Sequence, residues 1–133
     1  MPAIVNPRLT VQENLPGGNV RADVSCQLTF SQFERFLMQN GLRFRLDCKL
    51  FGADDGPFND DDDLFTYPGK IFPDASPTGT ENVSFSAVMR SSTLNEDDSI
   101  FNRGDEVYGK LTLKNLHDSS KISRNTNQIS HHF

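Results

Sequence analysis

Strict alternation of apolar and polar residues from Asn19 to Phe30 constrains this chain more than any other feature. Val20, Ala22, Val24, Cys26, Leu28 and Phe30 fall on one side, and Asn19, Arg21, Asp23, Ser25, Gln27 and Thr29 on the other. Successive side chains of a strand point to opposite faces, so this period of two predicts a strand with one buried and one wet side. Leu42 to Phe51 repeats the pattern, with Leu42, Phe44, Leu46, Cys48 and Leu50 inward and Arg43, Arg45, Asp47 and Lys49 outward. Asn82 to Met89 and Asp105 to Leu113 alternate in the same way. Two further strands are predicted at Ala3 to Val11 and Leu64 to Phe72. Pro7 and Pro68 interrupt them, and proline belongs at sheet edges because it cannot donate to a ladder.

The chain has 133 residues, 35% hydrophobic and 23% charged, which suits one core and excludes a disordered tract. No apolar run approaches the ~20 residues of a membrane-spanning helix. The N-terminus lacks a basic start followed by an apolar stretch, so no signal peptide is expected, and the chain is placed in the cytoplasm or within an assembly. The predicted fold is all-β, an antiparallel β-sandwich of about six to eight strands with one short helix, over residues 1–113. Residues 114–133 are rich in Ser and Asn, with only Leu116, Ile122, Ile129 and Phe133 as spaced apolar groups, and are predicted to be a polar C-terminal tail.

The helix is predicted over Ser31 to Asn40. Ser31-Gln32-Phe33-Glu34 has the S-x-x-E spacing of a capping box, Phe33, Phe36 and Leu37 recur at helical intervals, and Asn40-Gly41 is a C-terminal stop. If the strands flanking it paired antiparallel with Cys26 opposite Cys48, Leu28 would face Leu46, Phe30 would face Phe44, and every apolar face would stay inward. Both thiols are expected reduced and buried. An inward strand position lacks the exposure and positive neighbours that generate a thiolate, so cysteine catalysis is not expected.

Charge is distributed unevenly. Residues 52–63 hold six aspartates and no base, and residues 95–106 hold five acids against Arg103. These stretches sum to −6 and −4 in a chain of net −5, leaving +5 elsewhere. When successive strands run antiparallel, connections alternate between the two ends of a sheet. The third and fifth connections, which are the two acid-rich ones, then share an end with Pro16-Gly17-Gly18, opposite the helix. An acidic run is ordinarily a solvated loop that keeps a protein soluble. Two runs brought to one end repel each other, and a hard divalent cation relieves that repulsion. Calcium takes six to eight oxygens from carboxylates, carbonyls and water. The candidate ligands are Asp54, Asp55, Asp60, Asp62, Asp97 and Asp98. This layout resembles that of calcium-binding C2-type sandwiches, in which aspartates from loops at one end hold the ion. The resemblance is one of layout and assigns no residue roles. An EF-hand is excluded, because with Gly56 as its glycine the pattern needs acids where Phe51 and Ala53 stand.

Other chemistries find little support. The basic stripe Arg43, Arg45 and Lys49 is interrupted by Asp47 and shows no interleaved aromatic residue, so nucleic-acid binding is not expected. His117, His131 and His132 all lie in the polar tail, without zinc spacing. No G-x-S-x-G or G-x-x-x-x-G-K occurs. Asn82-Val83-Ser84 fits a glycosylation sequon but falls within a predicted strand. The sequence therefore predicts a non-catalytic binding or interaction module, with calcium as the cofactor if the acidic loops hold one, and a protein partner or self-association as its business. The alternative is a structural subunit of a larger assembly, of sheath, capsid or filament type, using its terminal arms for subunit contacts.

Overall fold

The structure, a computed structural model, describes residues 2–52, 62–90, 93 and 105–131. They form two antiparallel sheets packed face to face. Strands β1 (Ala3–Leu15) and β2 (Asn19–Thr29) make a hairpin, and β2 pairs on its other side with β6 (Thr80–Arg90). The second sheet is built on β3 (Phe44–Gly52) and β7 (Asp105–Asn115). Its outer positions are each filled by two short strands, β4 (Asp62–Thr66) and β5 (Lys70–Phe72) along β3, and β8 (Lys121–Asn125) and β9 (Ile129–His131) along β7. A three-strand layer thus lies on one that is four strands wide. The all-β sandwich expected from the alternation is the observed fold.

The alternating apolar sets supply the core. Val20, Ala22, Val24, Cys26 and Leu28 of β2 are buried, as are Phe44, Leu46, Cys48 and Leu50 of β3 and Val107, Leu111 and Leu113 of β7. Hiding one such Val or Leu side chain contributes roughly 1.5–3 kcal/mol before entropy is charged against it. Proline marks the breaks. Pro7 lies where the β1–β2 register skips between Val5 and Arg8, next to Asn6 at φ 53°. Pro68 separates β4 from β5, so the single strand predicted over Leu64 to Phe72 is two. The first of the three residues between them, Tyr67, turns into the core and donates its hydroxyl to the Ala22 carbonyl at 2.7 Å.

The edge-to-edge pairing of β2 with β3 does not occur. These strands belong to opposite sheets, and Phe30 and Phe44 meet across the sandwich with ring centroids 5.3 Å apart. Inward parity is the same whether two strands lie side by side or face to face, so alternation alone could not separate the cases. The helical connection decides it by carrying the chain from one layer to the other.

Helix α1 (Gln32–Gln39) forms where its caps predict. Glu34 N–H donates to Ser31 Oγ at 3.1 Å, and Ser31 N–H donates to Glu34 Oε1 at 2.8 Å. Asn40 caps the other end, and Gly41 follows at φ 113°, a left-handed conformation in which a Cβ is strained. The buried face is not the expected one. Glu34 and Met38 turn inward, whereas Phe33 and Phe36 are 68% and 58% exposed. Glu34 and Met38 are four residues apart, so they share the face that meets the sandwich. Ser31→Ala is expected to cost about 1 kcal/mol. A urea midpoint that falls with unchanged slope would register it.

The boundary drawn after Leu113 is also corrected. Strand β7 continues through Asn115, and residues 121–131 return along it as β8 and β9. Composition suggested a tail because β8 is an edge strand whose side chains mostly face water, while its place is fixed by backbone pairing. Side chains complete the attachment. Leu9 N–H donates to Asn127 Oδ1 at 2.8 Å, Asn127 Nδ2 donates to the Leu9 carbonyl at 3.1 Å, and Arg124 Nη1 donates to the Ile4 carbonyl at 2.9 Å. These bonds tie the edge of one sheet to the edge of the other.

Candidate functional site

Strand direction fixes what lies at each end of the sandwich. Gly52 pairs with both Asp62 and Val107, so β3 leaves, β4 enters and β7 enters at one place. In the other sheet Asn19 pairs with both Leu15 and Arg90, which puts the exit of β6 beside the β1–β2 turn at that same end. The strand ends flanking both acid-rich stretches therefore share one end of the sandwich, with the helix at the opposite pole. Of the six candidate calcium ligands, Asp62 is the first residue of β4, and its side chain lies outside the described residues. Asp54, Asp55, Asp60, Asp97 and Asp98 lie outside them altogether. Among the described residues no cluster of three metal-ligating side chains occurs. At the edge of this region Lys49 pairs with Asp63 at 3.2 Å, leaving that carboxylate already matched to a cation.

The helix pole is apolar. A groove of about 250 Å³ opens there, lined by Phe33, Leu37, Leu42, Phe44, Leu113 and Ile122. Its rim is polar and ordered by local bonds. Asp118 accepts from the backbone N–H and the hydroxyl of Ser120, and the hydroxyl bond, at 2.6 Å, is the main reason its carboxyl is held below the usual range. Arg43, expected on the basic stripe, instead folds back and donates to the carbonyls of Met38 and Leu42. It sits where the helix C-terminus carries partial negative charge.

The outward face of the large sheet is a third surface. Arg45 is bonded to Asp47 at 3.0 Å. Lys110, Lys114 and Lys121 share that face and make no ion pair with a described residue. Phe51 and Tyr108 stack there with centroids 5.7 Å apart and planes 19° apart, a contact the sequence reading missed. Parity would have found it: Phe51 continues the outward series of Arg45, Asp47 and Lys49, and Tyr108 that of Lys110 and Thr112. Tyr108 is buried, so the pair does not offer two open ring faces to bases.

The nucleophilic side chains lie inside. Cys26 and Cys48 are free and buried, and their interior positions raise the thiols to about 11 and about 12, the second aided by the nearby Cys26. Burial likewise raises the Tyr67 hydroxyl. A thiol held protonated in a core is a small apolar group rather than a nucleophile. Among the described residues no helix is long and apolar enough to cross a membrane, which leaves strand-built spans unaddressed. In comparison with other proteins, the sequence matches no known family and no curated relative.

Proposed function

We propose that the chain is a non-catalytic binding module, a rigid sandwich that presents two acid-rich connections side by side, with calcium as the counter-charge that makes this end a contact surface for a protein partner. The observation supporting this reading is the double pairing of Gly52 with Asp62 and Val107, which sets the anchors of both connections at one pole. Rigid sheets that position loops are a common platform for recognition. Asp54, Asp55, Asp60, Asp62, Asp97 and Asp98 supply the hard oxygen donors that calcium prefers.

Thermal unfolding with and without calcium tests the proposal. An ion that binds only the folded chain adds about 2.7 kcal/mol when present at a hundred times its Kd. The melting temperature is expected to rise in millimolar calcium and fall back with chelator, and Asp97→Asn/Asp98→Asn is expected to remove the rise. An unchanged melting temperature would leave the acidic connections as solubilising segments and overturn the ion. A subunit that exchanges terminal arms is less well supported, because β1 and residues 121–131 pair within the chain's own sheets.

A further inference from the structure

A sandwich has four sheet edges, and each open edge is a row of unpaired backbone donors and acceptors that proteins normally blunt. Three edges here carry such devices. Strand β1 has Pro7, two register shifts and the clamps from Asn127 and Arg124. The β4/β5 edge is broken at residues 67–69, with Pro68 inside the break and a register shift at Leu50/Phe51. The β8/β9 edge is broken at residues 126–128.

Strand β6 carries none. It pairs with β2 through eleven consecutive partners without a shift, from Asn19↔Arg90 to Thr29↔Thr80. It contains no proline and no lysine, and its two charges, Glu81 and Arg90, lie near its ends. Outward it shows Asn82, Ser84, Ser86 and Val88, the last 60% exposed, while Val83, Phe85 and Met89 are buried. Its far edge pairs with nothing among the described residues. Tyr67 packs on the Phe85 ring at 5.6 Å and Lys70 Nζ lies 5.1 Å from its centroid, so the side toward β4/β5 is filled by side chains rather than closed by a ladder.

We infer that the uninterrupted β6 edge pairs antiparallel with β6 of a second copy, joining two three-stranded sheets into one of six. The sequence of the strand favours a copy of itself. Placed about a two-fold axis at Ser86, Ser84 lies opposite Val88, Asn82 opposite Arg90, Val83 opposite Met89 and Phe85 opposite Ala87. Inward residues then meet inward residues, outward meet outward, and no like charges oppose, although each copy carries net −5. Directly opposed pairs must share a face in antiparallel pairing, and this register satisfies that along its length.

Sedimentation of the full chain from the submicromolar to the high micromolar range tests the inference. A concentration-dependent shift to twice the chain mass is expected. Ser84→Lys/Val88→Lys and Ser84→Glu/Val88→Glu place like charges opposite one another across the axis while sitting on a wet face. Each variant is expected to keep a native melting curve and remain monomeric alone, and an equal mixture is expected to recover the doubled mass. A wild-type chain that stays monomeric throughout overturns the inference and leaves the edge to a strand of a different protein or to none. A dimer that neither variant weakens, or one that mixing does not restore, overturns it as well.

Discussion

Deleting residues 117–133 is expected to abolish cooperative folding, whereas removal of a true tail would leave the melting curve intact. The deletion takes away β8 and β9, which hold eight register partners along β7 from Asp105↔His131 to Lys114↔Lys121. It also removes Thr126, whose hydroxyl accepts from the Gly109 N–H at 2.8 Å, and the Asn127 amide that satisfies both backbone groups of the fully buried Leu9. Each buried donor or acceptor left without a partner costs about 1–3 kcal/mol. Val107, Leu111 and Leu113, among the most buried of the described residues, would lie in a new sheet edge without the cover of Ile122 and Ile129. Domains of this kind are stable by about 5–15 kcal/mol in all, and these losses together consume that margin. Circular dichroism through a thermal scan reads the result directly. A sharp native-like transition in the shortened chain would show that the last strands are an accessory.

The same contrast shows what could be read from the residues alone. Parity along Asn19–Phe30 and Leu42–Phe51 identified the inward side chains correctly, because a one-residue slip would turn each of those apolar sets to water. The capping box at Ser31 and the stop at Asn40-Gly41 were legible because they are local chemistry, made between residues at most four apart. What was not legible depends on distant partners. Whether β2 lies beside β3 or across from it leaves the parity of Cys26 and Cys48 unchanged. The face of the two-turn helix that docks carries Met38 and Glu34 rather than the two phenylalanines, and so short an apolar pattern does not say which face meets the sandwich. The sequence Lys121–Asn125 has almost no apolar signal because an outer strand needs only a backbone neighbour. Connection parity predicts a shared pole for the strand ends that flank the two acid-rich stretches, and those ends, at Gly52, Asp62, Arg90 and Asp105, lie at one pole. The arrangement of the aspartates themselves falls outside the described residues.

The second large effect is expected in alkali. Burial holds Cys26 and Cys48 protonated well beyond the ordinary thiol value of 9.0, to about 11 and about 12. In the unfolded chain both thiols regain water and ionise near their ordinary value. Above it the unfolded state binds fewer protons than the native one, so stability falls as pH rises. The contribution is fully present below pH 9.0 and is lost as the pH climbs through about 11 to about 12. While only the unfolded thiol ionises, the slope is about 1.4 kcal/mol per pH unit for each thiol. Tyr67, raised in the same direction by its buried position, steepens the fall at the upper end of this range. Urea unfolding at successive pH values should therefore show a midpoint that is flat near neutrality and drops steeply beyond the ordinary thiol range. Cys26→Ala/Cys48→Ala separates this cause from general alkaline damage. Truncating two core side chains lowers stability at neutral pH, but the early part of the alkaline drop should disappear with the thiols, leaving only the later fall associated with Tyr67. If the double variant declined with the same slope as the wild type from pH 9.0 upward, proton release from the core thiols would not be what limits the fold in alkali.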